Sequence, residues 1–160
     1  MYFLEYLASS SFSEWLSVSL FGFPTLIALH SVGMGAVVGL TLMVCLRLYG
    51  VFDAIALRTV PRLLSVAVWG FFLNLVTGIG IFITRADEYI VATIFLVKMA
   101  LVLCSAALVF WLRRRLLPWA TASIEPAADP LAKTLALGAS VTWFAAVLAG
   151  RLIAYLSDLY

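Results

Sequence analysis

The chain has 160 residues, 65% hydrophobic and 11% charged, with a formal charge of +2. Soluble domains carry about 45–50% apolar and about 25% charged residues, so composition places this chain in a membrane. Four apolar runs reach the roughly 20 residues needed to cross about 30 Å of hydrocarbon. The segments between them are short, which excludes a soluble catalytic domain.

Residues 1–20 come first and read as an interfacial segment. No positive region precedes them and no small-residue cleavage pattern follows, unlike a signal peptide. Phe12, Trp15, Leu16 and Leu20 share a face at helical spacing, and Ser11 with Glu14 fits a capping box, so a short helix is expected along the membrane surface. Residues 21–160 then form one transmembrane domain, with spans predicted over Pro24–Leu46, Leu63–Ile83, Tyr89–Leu112 and Leu131–Leu156. The expected fold is an all-α integral membrane protein, a four-helix up-down-up-down bundle.

Arg47, Arg58 and Arg62 flank the first connection, and Arg113, Arg114, Arg115 and Lys133 the third. The second holds Arg85 beside Asp87 and Glu88, and the N-terminal segment has Glu5 and Glu14. The positive-inside rule puts connections one and three in the cytoplasm and both termini in the periplasm. The Arg113–Arg115 run reads as a stop-transfer flank in preference to a nucleic-acid or specific lipid-binding site. Cys45 and Cys104 fall in different spans at different depths, which predicts two small buried hydrophobes without a disulfide. Trp111 and Trp119 fit the inner interfacial belt. Trp69 and Trp143 fit packing better than cofactor contact.

Ionisable residues within a span cost about 2.5–3.5 kcal/mol for Lys or Arg at mid-helix, which makes them functional candidates. Three qualify: His30, the single histidine, with Lys98 and Arg151. At about 1.5 Å per residue, His30 and Arg151 lie about 9 Å and Lys98 about 13 Å below the outer helix ends. Asn74 and Thr77 reach the same layer on one face of the second span. No Asp or Glu lies within a span to neutralise the cations. Arg151 has a structural reading, snorkelling towards Asp87, Glu88 or Asp158. Lys98 lies deeper, so it is either neutral by desolvation or meets an anionic ligand.

Haem b would satisfy this set, with His30 as axial ligand and the propionates turned outward to Arg151 and Lys98. Gly33, Gly35 and Gly39 support this, because Gly35-x-x-x-Gly39 clears one face of the first span for a close helix contact or for a flat macrocycle. Met34 shares a face with His30 and cannot reach the opposite side of the same iron. The iron is therefore five-coordinate, or takes Met99 or neutral Lys98, or is shared by two copies through their His30 residues. Copper held by His30, Met34 and Met99 is the competing soft-ligand reading. The two cations oppose it. A quinone bonded to His30 and Lys98 is a further option, as is a structural subunit whose cations pair with another chain. All of these require His30 to face the bundle interior.

ALHSVGMGAVVGL in the first span and FLVKMALVLCSAALVFWLRRR in the third resemble the copper-resistance D family of bacterial inner-membrane proteins and small four-helix relatives. FLEYL, VTGIGIF and AGRLIAYL extend the resemblance over nearly the whole chain. It implies functional roles for His30 and Lys98, and either copper handling or, as in relatives, b-type haem and periplasmic electron transfer. The chain departs from the better-known members in having four spans where they have about twice as many, and in lacking their additional histidines. Copper translocation would need successive ligands through the bilayer, and the inner half offers only Cys45 and Cys104. The expected function is a haem b redox module or subunit of the bacterial inner membrane, embedded in the lipid bilayer and working as a homo-oligomer or with a complex partner. No nucleophile with its base, paired carboxylates or phosphate loop is present, so a complete enzyme is not expected.

Overall fold

A computed structural model of the chain describes residues 6, 9–122, 127 and 130–156. Within it the protein is helical, and no strand occurs among the described residues. Four helices are long and apolar enough to cross a membrane, over Gly22–Leu48, Leu57–Thr84, Thr93–Thr121 and Pro130–Ile153.

Helix α1 (Ser11–Val18) is capped by Ser10, whose hydroxyl accepts from Ser13 N at 3.2 Å. The cap is thus one residue earlier than the Ser11–Glu14 box predicts, because Ser10 has the extended backbone that a cap needs. Of the expected surface face, Leu16 is buried while Trp15 and Leu20 are exposed. Phe12's side chain and residues 1–5, 7 and 8 lie outside the described residues. Ser19 Oγ then accepts from Gly22 N, the first residue of α2 (Gly22–Leu48), at 3.0 Å.

At its far end α2 stops in a Schellman turn. Gly50, with φ +88°, supplies the left-handed residue, and Val51 N donates to Leu46 O at 3.0 Å. Arg47 donates from Nε to Ile55 O and pairs with Asp53 at 3.3 Å, holding the connection. A 3₁₀ turn (Leu57–Thr59) leads into α3 (Val60–Thr84), with Pro61 in its first turn.

The predicted third span needs correction. Its apolar run from Tyr89 is interrupted at Ala92, which has extended backbone (φ −75°, ψ 110°). Tyr89 belongs to a separate short helix, α4 (Ala86–Val91), and the long helix is α5 (Thr93–Leu116). Hydropathy does not register a one-residue break between two apolar stretches. At the other end α5 continues through Arg113–Arg115, since arginine is a good helix former, until Pro118 turns the chain into a 3₁₀ segment (Leu117–Thr121). The last helix is α6 (Pro130–Leu156).

Two antiparallel pairs dominate. In the α2–α3 pair, a Cβ on Gly33 would lie 2.8 Å from Asn74 N and from Gly70 O, so only glycine permits this backbone approach. In the α5–α6 pair, Ser105 donates to Thr142 across the interface at 2.8 Å. The pairs join chiefly where α2 packs on α6. Near the arginine-rich end the core is closely filled by Val37, Val44, Leu64, Leu112 and Leu116. Beyond Val37, Phe71, Ser105 and Trp143, towards the His30 end, the described side chains buried on the long helices are only Gly33, Thr77, Ala146 and Ala149.

The two cysteines are free, as expected, but only Cys45 is buried. Cys104 is exposed on the outer side of α5. The expectation of two buried thiols fails because apolar sequence does not distinguish a helix's lipid-facing side from its packed side.

Candidate functional site

His30 projects from α2 onto α3. Its Nδ1 lies 3.0 Å from Thr77 Oγ1, and a Cβ on Gly78 would lie 3.2 Å from its Cε1. The ring thus rests against a glycine of the neighbouring helix. Thr77's single hydroxyl proton has its nearer acceptor in Leu73 O, at 2.7 Å. With the proton there, Oγ1 accepts from Nδ1–H, and Nε2 carries the free lone pair. A threonine therefore does for this imidazole what carboxylates and carbonyls do for ligating histidines, by fixing ring orientation and tautomer.

Asn74 serves the same contact differently. Its side-chain amide donates to His30 O at 3.2 Å, joining the two helices at the histidine's own backbone. Asn74 and Thr77 thus hold His30 from one face of α3, as their spacing suggests.

Lys98 occupies the opposite pair. A Cβ on Gly150 would lie 3.4 Å from its Cε and 3.5 Å from its Nζ, so the lysine stem runs along a bare stretch of α6. No ion pair of Lys98 occurs among the described residues. Its depth relative to His30 follows from the contacts. Phe71 of α3 meets Trp143 of α6 edge-on, with centroids 6.1 Å apart. Seven residues further along each of these helices, about 10 Å, stand Gly78 under His30 and Gly150 under Lys98. The two basic side chains therefore share one layer.

The remaining predicted residues divide. Arg151 follows Gly150 in this layer and is exposed, with no ion pair among the described residues. The side chains of Asp87 and Glu88, and Asp158 itself, lie outside the described residues. Gly35 does not join the site. It lies five residues from His30, about 140° round the helix at 3.6 residues per turn, and a Cβ there, or on Gly39, would meet nothing within 4 Å. Of the three glycines singled out in this span, Gly33 makes the close helix contact, against Gly70 of α3.

Met34, one turn from His30, is half-buried, while Met99 is exposed on α5. No cluster of three His, Cys, Asp or Glu side chains able to hold a metal occurs among the described residues.

Three features were not legible in the sequence as parts of this site. Gly78 and Gly150 are the surfaces against which His30 and Lys98 lie. Trp143, for which the sequence favours packing, is buried against Phe71, but its Nε1–H has no hydrogen-bond partner among the described residues. Above Lys98, the near-parallel rings of Phe82, Tyr89 and Phe95 have centroids 5.5–6.4 Å apart and join α3, α4 and α5. Only the break at Ala92 allows Tyr89 to turn back into this group.

No family model, curated protein or solved structure matches this chain. The functional reading therefore rests on the residues of the site.

Proposed function

We propose that this multi-pass protein resides in the bacterial inner membrane as an up-down-up-down bundle. Both termini and the His30 end face the periplasm, and the arginine-rich connections face the cytoplasm. Its outer half binds haem b as a redox module or subunit. The observation that carries this reading is the pairing, in one layer, of an imidazole anchored through Nδ1 with a lysine that has no carboxylate partner among the described residues.

The residues present fit that group. His30 would hold the iron through its free Nε2, with Thr77 orienting the ring and Asn74 fixing the backbone that carries it. Lys98 and Arg151 are the cations for two propionates in an otherwise apolar setting, where charge-assisted contacts are strong. Bound haem would supply one-electron redox chemistry. The protein's share is to orient the imidazole, neutralise the carboxylates and exclude water. Copper is less well served: Met99 is exposed on α5, and Lys98 repels a cation. The resemblance of the His30 and Lys98 stretches to the copper-resistance D family and its haem-binding relatives is consistent with the same two residues.

The test is an oxidised and dithionite-reduced absorption spectrum of protein expressed with haem supply and purified in detergent. The wild type is expected to show a Soret band and reduced α and β bands. His30→Ala should lose them, and Thr77→Val should weaken haem retention about 10- to 100-fold, as outer-shell changes do at ligating histidines. A flat visible spectrum from well-folded protein would overturn the haem reading. Metal analysis of the same sample would then separate copper from a quinone or a partner subunit.

A further inference from the structure

The end of the bundle nearest His30 carries a feature that the haem reading does not use. Phe82 stands four residues beyond Gly78 on α3, about 6 Å nearer the helix end and on the same face. Phe95 stands three residues before Lys98 on α5, about 4.5 Å nearer that end and again on the same face. Each ring is therefore one turn above the polar layer, Phe82 over the glycine that supports His30 and Phe95 over Lys98. The two rings stack with centroids 5.5 Å and planes 18° apart, and Tyr89 of α4 stacks on both, at 24° to Phe82 and 15° to Phe95. All three residues are half-buried. Since the helix pairs join chiefly through α2 and α6, this stack spans the other seam, between α3 and α5, and stands between the His30–Lys98 layer and the water beyond the helix ends.

Tyr89 is the movable member. Phe82 and Phe95 belong to spanning helices, whereas α4 has six residues, too few for a helix to be stable alone. Its helical backbone is interrupted on both sides, at Arg85 (φ −146°, ψ 46°) and at Ala92 (φ −75°, ψ 110°). Rotation at those two residues displaces the whole segment, as at a hinge. Ala86, beside the first break, is buried, while Ile90 and Val91 are exposed. Among the described side chains of α4, Tyr89 thus carries the packing that holds the segment to the bundle.

We propose that α4 is a gate over the His30–Lys98 layer, latched by the Tyr89 ring against Phe82 and Phe95. Opening at Arg85 and Ala92 admits a polar ligand to the layer from the aqueous side, and closure excludes water from it. The gate serves whichever ligand the layer holds and does not rest on the haem reading.

The experiment uses the full-length protein carrying Cys45→Ala, Cys104→Ala and Lys98→Cys. A water-soluble, charged methanethiosulfonate labels the new thiol in detergent, and mass spectrometry reads the rate. Tyr89→Ala should raise that rate about tenfold by shifting the closed–open equilibrium. Tyr89→Phe keeps the ring and should change it by less than about twofold. Ser105→Cys, in place of Lys98→Cys, tests a buried position two turns deeper on α5, and should stay unlabelled with or without Tyr89→Ala. Hydrogen exchange on the wild type reads the motion itself. The amides of Tyr89 and Ala92 donate to Arg85 O at 3.0 Å and to Tyr89 O at 3.2 Å. They should exchange at least about tenfold faster than those of residues 99–104 on α5. Equal labelling of Lys98→Cys with and without Tyr89→Ala would overturn the gate, as would equal amide protection of α4 and α5. Faster labelling of Ser105→Cys in Tyr89→Ala would mean that the whole bundle loosens, and would overturn it too. The visible spectrum of the haem test has no bearing on these outcomes.

Discussion

The two halves of the same four helices are built on different terms. Near the arginine-rich end, large branched side chains fill the interior: Leu64 and Leu112 are fully buried, and Val37, Val44 and Leu116 pack around them. Towards the other end the buried positions are Gly, Ala and Thr, and the side chains turned inward include His30 and Lys98. Apolar residues gain little by leaving lipid for a protein interior, so packing density and satisfied polar groups decide stability in a membrane. One half therefore holds the helices together, and the other can carry polar groups that a close-packed interior would reject.

The largest expected effects test that division directly. Leu64→Ala or Leu112→Ala should destabilise by about 2–5 kcal/mol through the cavity each leaves. Leu75→Ala and Val76→Ala, exposed on α3 in the other half, should cost less than about 1 kcal/mol. Thermal unfolding in one detergent compares all four. Equal losses in both halves would break the comparison.

Glycine substitutions sharpen it. Gly33→Ala places a methyl 2.8 Å from two backbone atoms of α3, forcing the helices apart at a cost of about 1–3 kcal/mol. Gly35→Ala and Gly39→Ala meet nothing within 4 Å and should be neutral or stabilising by up to about 1 kcal/mol, from the helix preference of alanine. The same thermal assay distinguishes them.

Lys98→Met reverses the usual sign of a site mutation. Removing a cation that has no carboxylate partner among the described residues should stabilise the ligand-free protein by about 1–3 kcal/mol while weakening haem retention in the spectroscopic assay. Loss of stability instead would mean that Lys98 belongs to the structural half of the comparison. The smallest effect is expected for Ser105→Ala, which removes one interhelical hydrogen bond near the boundary of the two halves. Such bonds average about 0.6 kcal/mol in membrane proteins, a shift that replicate unfolding curves can resolve.

The chain's apolar runs locate the four spans because each must bury about 20 residues in hydrocarbon whatever its neighbours do. The cost of intramembrane charge likewise singles out His30 and Lys98 before any contact is known. Asn74 and Thr77 are legible for a related reason, since i, i+3 spacing puts them on one helix face. The break at Ala92, by contrast, is invisible to hydropathy, because both sides of it are apolar. The Gly35–Gly39 pattern also misleads, since a small-residue spacing marks a possible contact without specifying which of several glycines another helix meets.

What the sequence determined by itself is the class, the number of spans and the identity of the costly residues, all consequences of transfer between water and hydrocarbon, which acts on each segment separately. Only the tertiary structure decided that His30 turns onto Thr77 and Gly78, that Lys98 lies along Gly150, and that both stand in one layer. Those outcomes depend on helix rotation and on which helices pair, and both are set by close packing between segments far apart in the chain.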